Sequence, residues 1–251
     1  MIIDCISDLH GHYPELEGGD LLIIAGDLTA RDTFQETVRF SKWVYAQKYI
    51  KKIVVGGNHD NSLIPIGPTD LLYSNYDLKT GKLESFASYL CDSGCEISYF
   101  DEEELDKKEP NSPIPKLKSL KIWGSPWTSQ FPGINPKCCA FTRPFMESLK
   151  DRWDLIPHDV DILITHSPPY GILDQVARDY GASVGNMHLR TLLDTCLTPR
   201  LHVFGHVHEN GGKQLIFKRP GVSTENNTIC VNASHVNERY QPVNRPVRVI
   251  V

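Results

Sequence analysis

Asp8 and His10, Asp27, Asn58 with His59 and Asp60, His166, and His206 with His208 all stand just past short apolar runs of this chain. Those runs, "MIIDCIS", "DLLIIAGD", "KKIVVGGNHD", "DILITHSPP" and "LHVFGHVH", are rich in Ile, Val and Leu and end in Gly or polar turns, the pattern of buried strands. In open α/β sheets ligands gather at the carboxyl ends of strands, so the polar residues describe one cluster. Its donors are oxygens and imidazole nitrogens, with almost nothing soft, which suits Mn, Fe, Zn, Co or Mg better than thiolate-loving metals. A carboxylate has two oxygens, so Asp27 could bridge two cations and relieve their mutual repulsion. Neutral imidazoles complete the shells without adding charge, and the spacing of His206 and His208 can send them to neighbouring cations. Two cations about 3.5–4 Å apart clamp both sides of an in-line displacement at phosphorus and lower the pKa of a water from about 15.7 to roughly 7. Hydroxide is then the nucleophile, and no Ser or Cys is required.

Such a cluster needs parallel strands with helices between them. Phe34, Val38, Ser41 and Tyr45 in "DTFQETVRFSKWVYAQKY" follow helical spacing, with Asp32 able to cap the start. A second helix is expected at "NMHLRTLLDTCL", where Leu189, Leu192, Leu193 and Cys196 share a face and Pro199 stops it. Strand, helix, strand in this order implies an α/β layer. The tail "NTICVNASHVNERYQPVNRPVRVIV" reads as two final strands joined by a polar turn. From 75 to 118 the pattern weakens, with the acidic run Asp101 to Glu104 followed by three prolines; this stretch reads as an exposed excursion from a single domain spanning 1–251.

Bulk properties narrow the partners. A formal net charge of -5 argues against holding extended nucleic acid by phosphate neutralisation. The start "MIIDCISDLH" is interrupted by Asp4 and Asp8 and does not read as a signal peptide, and no apolar run approaches the roughly 20 residues that span a bilayer. Seven scattered cysteines fit a reducing compartment, so a cytoplasmic protein without membrane partners is expected. Nothing in the sequence marks an oligomer.

In order and spacing, "SDLHG", "AGDLT", "GGNHD", "ITHSPP" and "FGHVH" resemble the five motifs of the calcineurin-like metallophosphoesterase superfamily. "IWGSPWT", "KWVYAQ", "RWDLIPHDVDILITHSPP", "PRLHVFGHVHE" and "NAS...QPVNRPV" look like the small metallophosphoesterase-domain-containing group, whose members act on phosphodiesters including cyclic nucleotides. The resemblance implies a metallophosphoesterase fold, with two mixed β-sheets packed as a sandwich and helices outside. It implies that Asp8, His10 and His208 bind one divalent metal, that Asn58, His166 and His206 bind a second, and that Asp27 bridges them, with Mn the first choice of metal. His59 and Asp60 become the catalytic pair: His59 donates a proton to the leaving oxygen or holds the phosphate, and Asp60 orients it. The activity implied is hydrolysis of a small phosphodiester. A phosphomonoesterase or protein phosphatase shares this chemistry, and a silent metal-binding scaffold shares the fold; the lack of an Arg cluster near the motifs leans toward diesters, and no ligand position is lost. His12, His158, His188, His202 and His235 have no motif support, and Trp127 reads as packing.

Overall fold

The apolar runs form strands because Ile and Val, stiff at Cβ, fit a pleated surface covered on both faces. The computed structural model describes residues 1–64, 75–76, 83–84, 87–100, 117–130, 137–144, 148–177, 180–219, 221 and 227–251. Its two large sheets are built from β1 (Ile2–Ile6), β2 (Gly19–Ala25), β3 (Tyr49–Val55), β4 (Ser88–Leu90), β5 (Ser93–Phe100), β6 (Leu117–Ser125), β7 (Ile162–Thr165), β8 (Leu201–Phe204), β9 (Lys213–Phe217), β10 (Thr228–Asn232) and β11 (Val247–Ile250). One sheet runs β11-β1-β2-β3-β4 and the other β9-β10-β8-β7-β6-β5. The inner strands pair in parallel, while β11, β9 and β5 close edges antiparallel. Both sheets are therefore mixed.

The period of two along each strand separates the layers. Ile3, Cys5, Leu21, Ile23, Ile53 and Val55 meet Leu120, Ile122, Ile162, Ile164, Leu201 and Val203 in one buried cluster between the sheets. Their alternates face outward: Ile6, Leu22, Ile24 and Val54 pack on Phe40 and Val44 of α1 (Phe34–Ala46). Leu163, Phe204 and Cys230 pack on Leu189 and Leu193 of α2 (Met187–Thr195). This is a β-sandwich flanked by helices, with the carboxyl ends of parallel strands sharing one rim in each sheet. A parallel bridge between Ser7 and Ser234 ties the two rims together.

Two expectations are corrected. The N-cap of α1 is Thr33 in a capping box with Glu36, not Asp32, whose carboxylate instead accepts from the Ser62 N–H and hydroxyl. The buried row is Glu36, Phe40 and Val44, leaving Phe34 and Tyr45 exposed; Glu36 bends back onto the N–H groups of Arg31 and Thr33. Second, within 75–118, residues 88–90 and 93–100 are strands of the two sheets rather than an excursion, while 101–116 lie outside the described residues. The two expected tail strands are present and lie in different sheets: β10 is enclosed by β9 and β8, and the chain crosses over to pair β11 with β1. Among the described residues no helix is long and apolar enough to cross a membrane. All seven cysteines are free thiols.

His202, fully buried in β8, marks where acid should weaken the fold. The Thr165 hydroxyl donates to the Ser167 carbonyl at 2.6 Å, so its 2.9 Å contact with His202 Nε2 must be accepted. His202 Nδ1 is left buried without a partner. Burial pushes this imidazole down to about 3 from the ordinary 6.5. The neutral form is thus the folded form; its stabilisation is complete above 6.5 and is lost as pH falls from there toward 3. Below pH 6.5 the wild type should lose about 1.4 kcal/mol more per pH unit than His202→Asn, measured by urea unfolding of metal-free protein at pH 5 and 7. Parallel slopes would refute this.

Candidate metal centre

The loops that leave the strands are bent as few sequences tolerate. Asp8, His10, Asp27 and His206 all lie in the left-handed region, with φ of 49°, 42°, 53° and 68°, which disfavours side chains larger than Gly. Such strain persists where surrounding structure over-determines it and clusters at functional sites. Here the Asp8 N–H donates to the Gly26 carbonyl and the His10 N–H to the Asp27 carbonyl, at 2.9 and 3.1 Å. The loops after β1 and β2 thereby brace each other.

Within this frame the donors converge. One ligand atom from each of Asp8, His10, Asp27 and His208 lies within 4.8 Å of the others, and the same holds for Asp27, His166 and His206. Asp27 belongs to both groups. Asn58 joins the second through Oδ1, 3.1 Å from His166 Nε2. Both buried carboxylates are held from behind: Asp8 accepts from the His206 N–H and, at 2.5 Å, from the Ser234 hydroxyl, and Asp27 accepts from the His59 N–H at 2.9 Å.

The donor chemistry fits divalent cations. His166 Nδ1–H donates to the Ala25 carbonyl at 2.9 Å, which fixes the tautomer and leaves Nε2 as the bare nitrogen. That nitrogen faces two oxygens, Asn58 Oδ1 at 3.1 Å and Asp27 Oδ1 at 3.5 Å. Lone pairs facing lone pairs repel unless a proton or a cation is shared among them. On the other side His10 Nε2 meets His208 Nε2 at 3.3 Å beside Asp27 Oδ2 at 3.6 Å. Among the described residues, the partners of Asp8 and Asp27 are imidazoles, backbone N–H groups and one hydroxyl, not Arg or Lys. Burial would raise both carboxyls, yet the imidazoles around them hold both below the usual carboxylate range. For His166 burial is outweighed by Asp27, which brings it up to about 9, whereas burial pushes His10 and His206 down to about 3. A buried, charge-rich cluster of O and N donors is what hard-to-borderline divalent metals require.

Glycine makes the approach possible at two points. A Cβ on Gly205 would fall 2.1 Å from Asp8 Oδ2, and one on Gly26, at φ 104°, would fall 2.3 Å from His166 Nδ1. Gly26→Ala should therefore cost roughly 2 kcal/mol or more and loosen His166. A wild-type urea midpoint for this variant would count against the close approach.

His59 and Asp60 separate in role. His59 is half-buried, its ring 4.5 Å from that of His10, with Nδ1 directed to the Ala30 carbonyl at 3.3 Å and near Cys138 Sγ at 3.5 Å. Asp60 does not orient it. Both Asp60 oxygens accept from the Leu28 N–H and one from the Gly57 N–H, so this buried carboxylate staples the loop after β2 to the loop after β3. Burial, with Asp27 beside it, pushes the Asp60 carboxyl well above the usual range.

The calcineurin-like phosphoesterase family profile matches residues 1–210, which include every residue of both donor groups. The chain belongs to this family. Among its relatives, metallophosphoesterase domain-containing protein 1 of Homo sapiens is 34% identical over 252 residues, covering 97% of this chain and 68% of that protein. A UPF0046 protein of Caenorhabditis elegans is 30% identical over 257 residues, covering 97% and 78%.

Two residues of this calcineurin-like phosphoesterase that the sequence reading did not assign to the site also reach the centre, and both lie beyond residue 210. Ser234 bonds Asp8, and the Tyr240 ring packs on His10 and His208. Trp127 is a packing residue: Arg152 lies 4.4 Å over its ring, Phe141 meets it edge-on, and its indole N–H donates to Asp92.

Proposed function

We propose that the protein is a divalent-metal-dependent hydrolase of small phosphodiesters, cyclic nucleotides among them, acting in the cytoplasm without membrane or extended nucleic-acid partners. The observation that carries this reading is the pair of donor groups sharing Asp27, with His59 against their edge. Asp8, His10 and His208 would hold one cation and Asn58, His166 and His206 the other, with Asp27 common to both and Mn the first candidate. When bound, the cations supply Lewis acidity, generating a nucleophile from water near neutral pH and neutralising phosphate charge. The residues supply the rest. Asp27 is anchored by the His59 N–H, so the acidic edge of the centre and the proton donor move as one unit. With Nδ1–H committed to the Ala30 carbonyl, the imidazolium form of His59 has its Nε2 proton left to deliver to the leaving oxygen, returning to the neutral ring. Asp60 keeps the two loops in register. The sequence places no cluster of Arg close to the motifs, which supports the diester, since a dianionic monoester is commonly gripped by a bidentate guanidinium.

The test is hydrolysis of bis-p-nitrophenyl phosphate beside p-nitrophenyl phosphate, by protein stripped of metal and reconstituted in turn with Mn, Co, Zn and Mg. Metal-dependent turnover favouring the diester is expected. A monoester preference would turn the reading to a phosphatase, and silence with every metal would leave a binding scaffold.

A further inference from the structure

One aromatic side chain outside the two donor groups faces the same space. The Tyr240 ring lies 4.8 Å from that of His10 and 5.2 Å from that of His208, nearly perpendicular to both, and 6.4 Å from that of His59. Its backbone is left-handed, with φ of 58°, a conformation that a bulky residue keeps only under constraint. The constraint is visible. Asn237 Oδ1 accepts from the N–H groups of Arg239 and Gln241, both at 3.0 Å, and its carbonyl accepts from the Tyr240 N–H at 2.8 Å. Val236 and Pro242 pair at the base, so the loop from 236 to 242 closes around Asn237 and presents Tyr240 at its tip. Tyr240 belongs to none of the three apolar clusters, and half of it, 50%, stays exposed. The loop thus holds an aromatic ring at the mouth of the centre rather than in the core.

We infer that Tyr240 is a specificity-determining residue, the surface on which the organic group of a phosphoester lies, so that aromatic rings and planar bases are preferred over small alkyl groups. This rests on the phosphoesterase reading above. A phosphate that reaches His10, His208 and His59 has the buried Asp8, Asp27 and His166 beneath it, and its substituent must leave toward the opening where Tyr240 stands. A ring there makes offset or edge contacts worth roughly 3- to 10-fold in affinity; a methyl group has too little surface to match them.

The test uses phenylphosphonate and methylphosphonate, whose phosphorus–carbon bonds resist hydrolysis, titrated calorimetrically into Mn-loaded protein with bound metal measured for each variant. Wild type and Tyr240→Phe should prefer the phenyl compound by that factor. Tyr240→Ala, with its metal content unchanged, should bind both alike, and Asn237→Ala, which frees the loop, should narrow the preference. Equal binding of both compounds by the wild type, or a preference that survives in Tyr240→Ala, would overturn the role of Tyr240 and leave the phosphoester site standing. Failure of either compound to bind in the presence of metal would overturn both.

Discussion

Asp27→Asn should leave less than one equivalent of bound metal per chain and lower turnover at least about a thousandfold. Asp27 alone belongs to both donor groups, with one oxygen 3.5 Å from His166 and the other 3.6 Å from His10. Asparagine keeps the size but loses the charge, and turns an NH2 group toward an imidazole on one side. Each group then faces its cation with a weaker and less anionic set of donors. Metal content by mass spectrometry and diester turnover are measured on the same preparation. Retention of two metals per chain by this variant would refute the shared-carboxylate assignment.

His59→Asn should differ in its metal: content is expected to stay at the wild-type level while turnover falls about 10²- to 10⁴-fold, the usual worth of a positioned proton donor. The ring of His59 is directed at Ala30 and packed on His10, and its tie to Asp27 is through the backbone N–H, which Asn retains. Leaving groups supply a second readout. A p-nitrophenolate leaves without protonation, so the defect should be smallest for bis-p-nitrophenyl phosphate and grow with the basicity of the leaving alcohol. A defect independent of the leaving group would assign His59 to phosphate binding, and loss of metal would make it a structural support of the centre.

The donor positions were legible because each sits within a few residues of a strand that announces itself by composition: Asp8 after β1, Asp27 after β2, His166 after β7. Local pattern and local position coincide there. The buried face of α1 was not legible, since its row includes Glu36, a charged residue whose carboxylate is consumed by its own N-terminus. Asp60 misled for a related reason: adjacency to His59 in sequence says nothing about a side chain that turns back to Leu28 and Gly57. Ser234, Tyr240 and the crossing of the tail between sheets depend on pairings distant in the chain, for which periodicity has no vocabulary.

The bond from Ser234 to Asp8 spans 226 positions, and that from His208 to Asp8 spans 200. Loops of that length close slowly, because their entropy is spent before the contacts form. On the ribosome, Asp8, His10 and Asp27 emerge early and wait, weak chelators without the imidazoles of the opposite sheet. On the reading proposed above, a divalent cation would therefore meet the finished fold, and selection among cations would fall to the geometry of the assembled centre rather than to whichever ion first encounters the nascent chain.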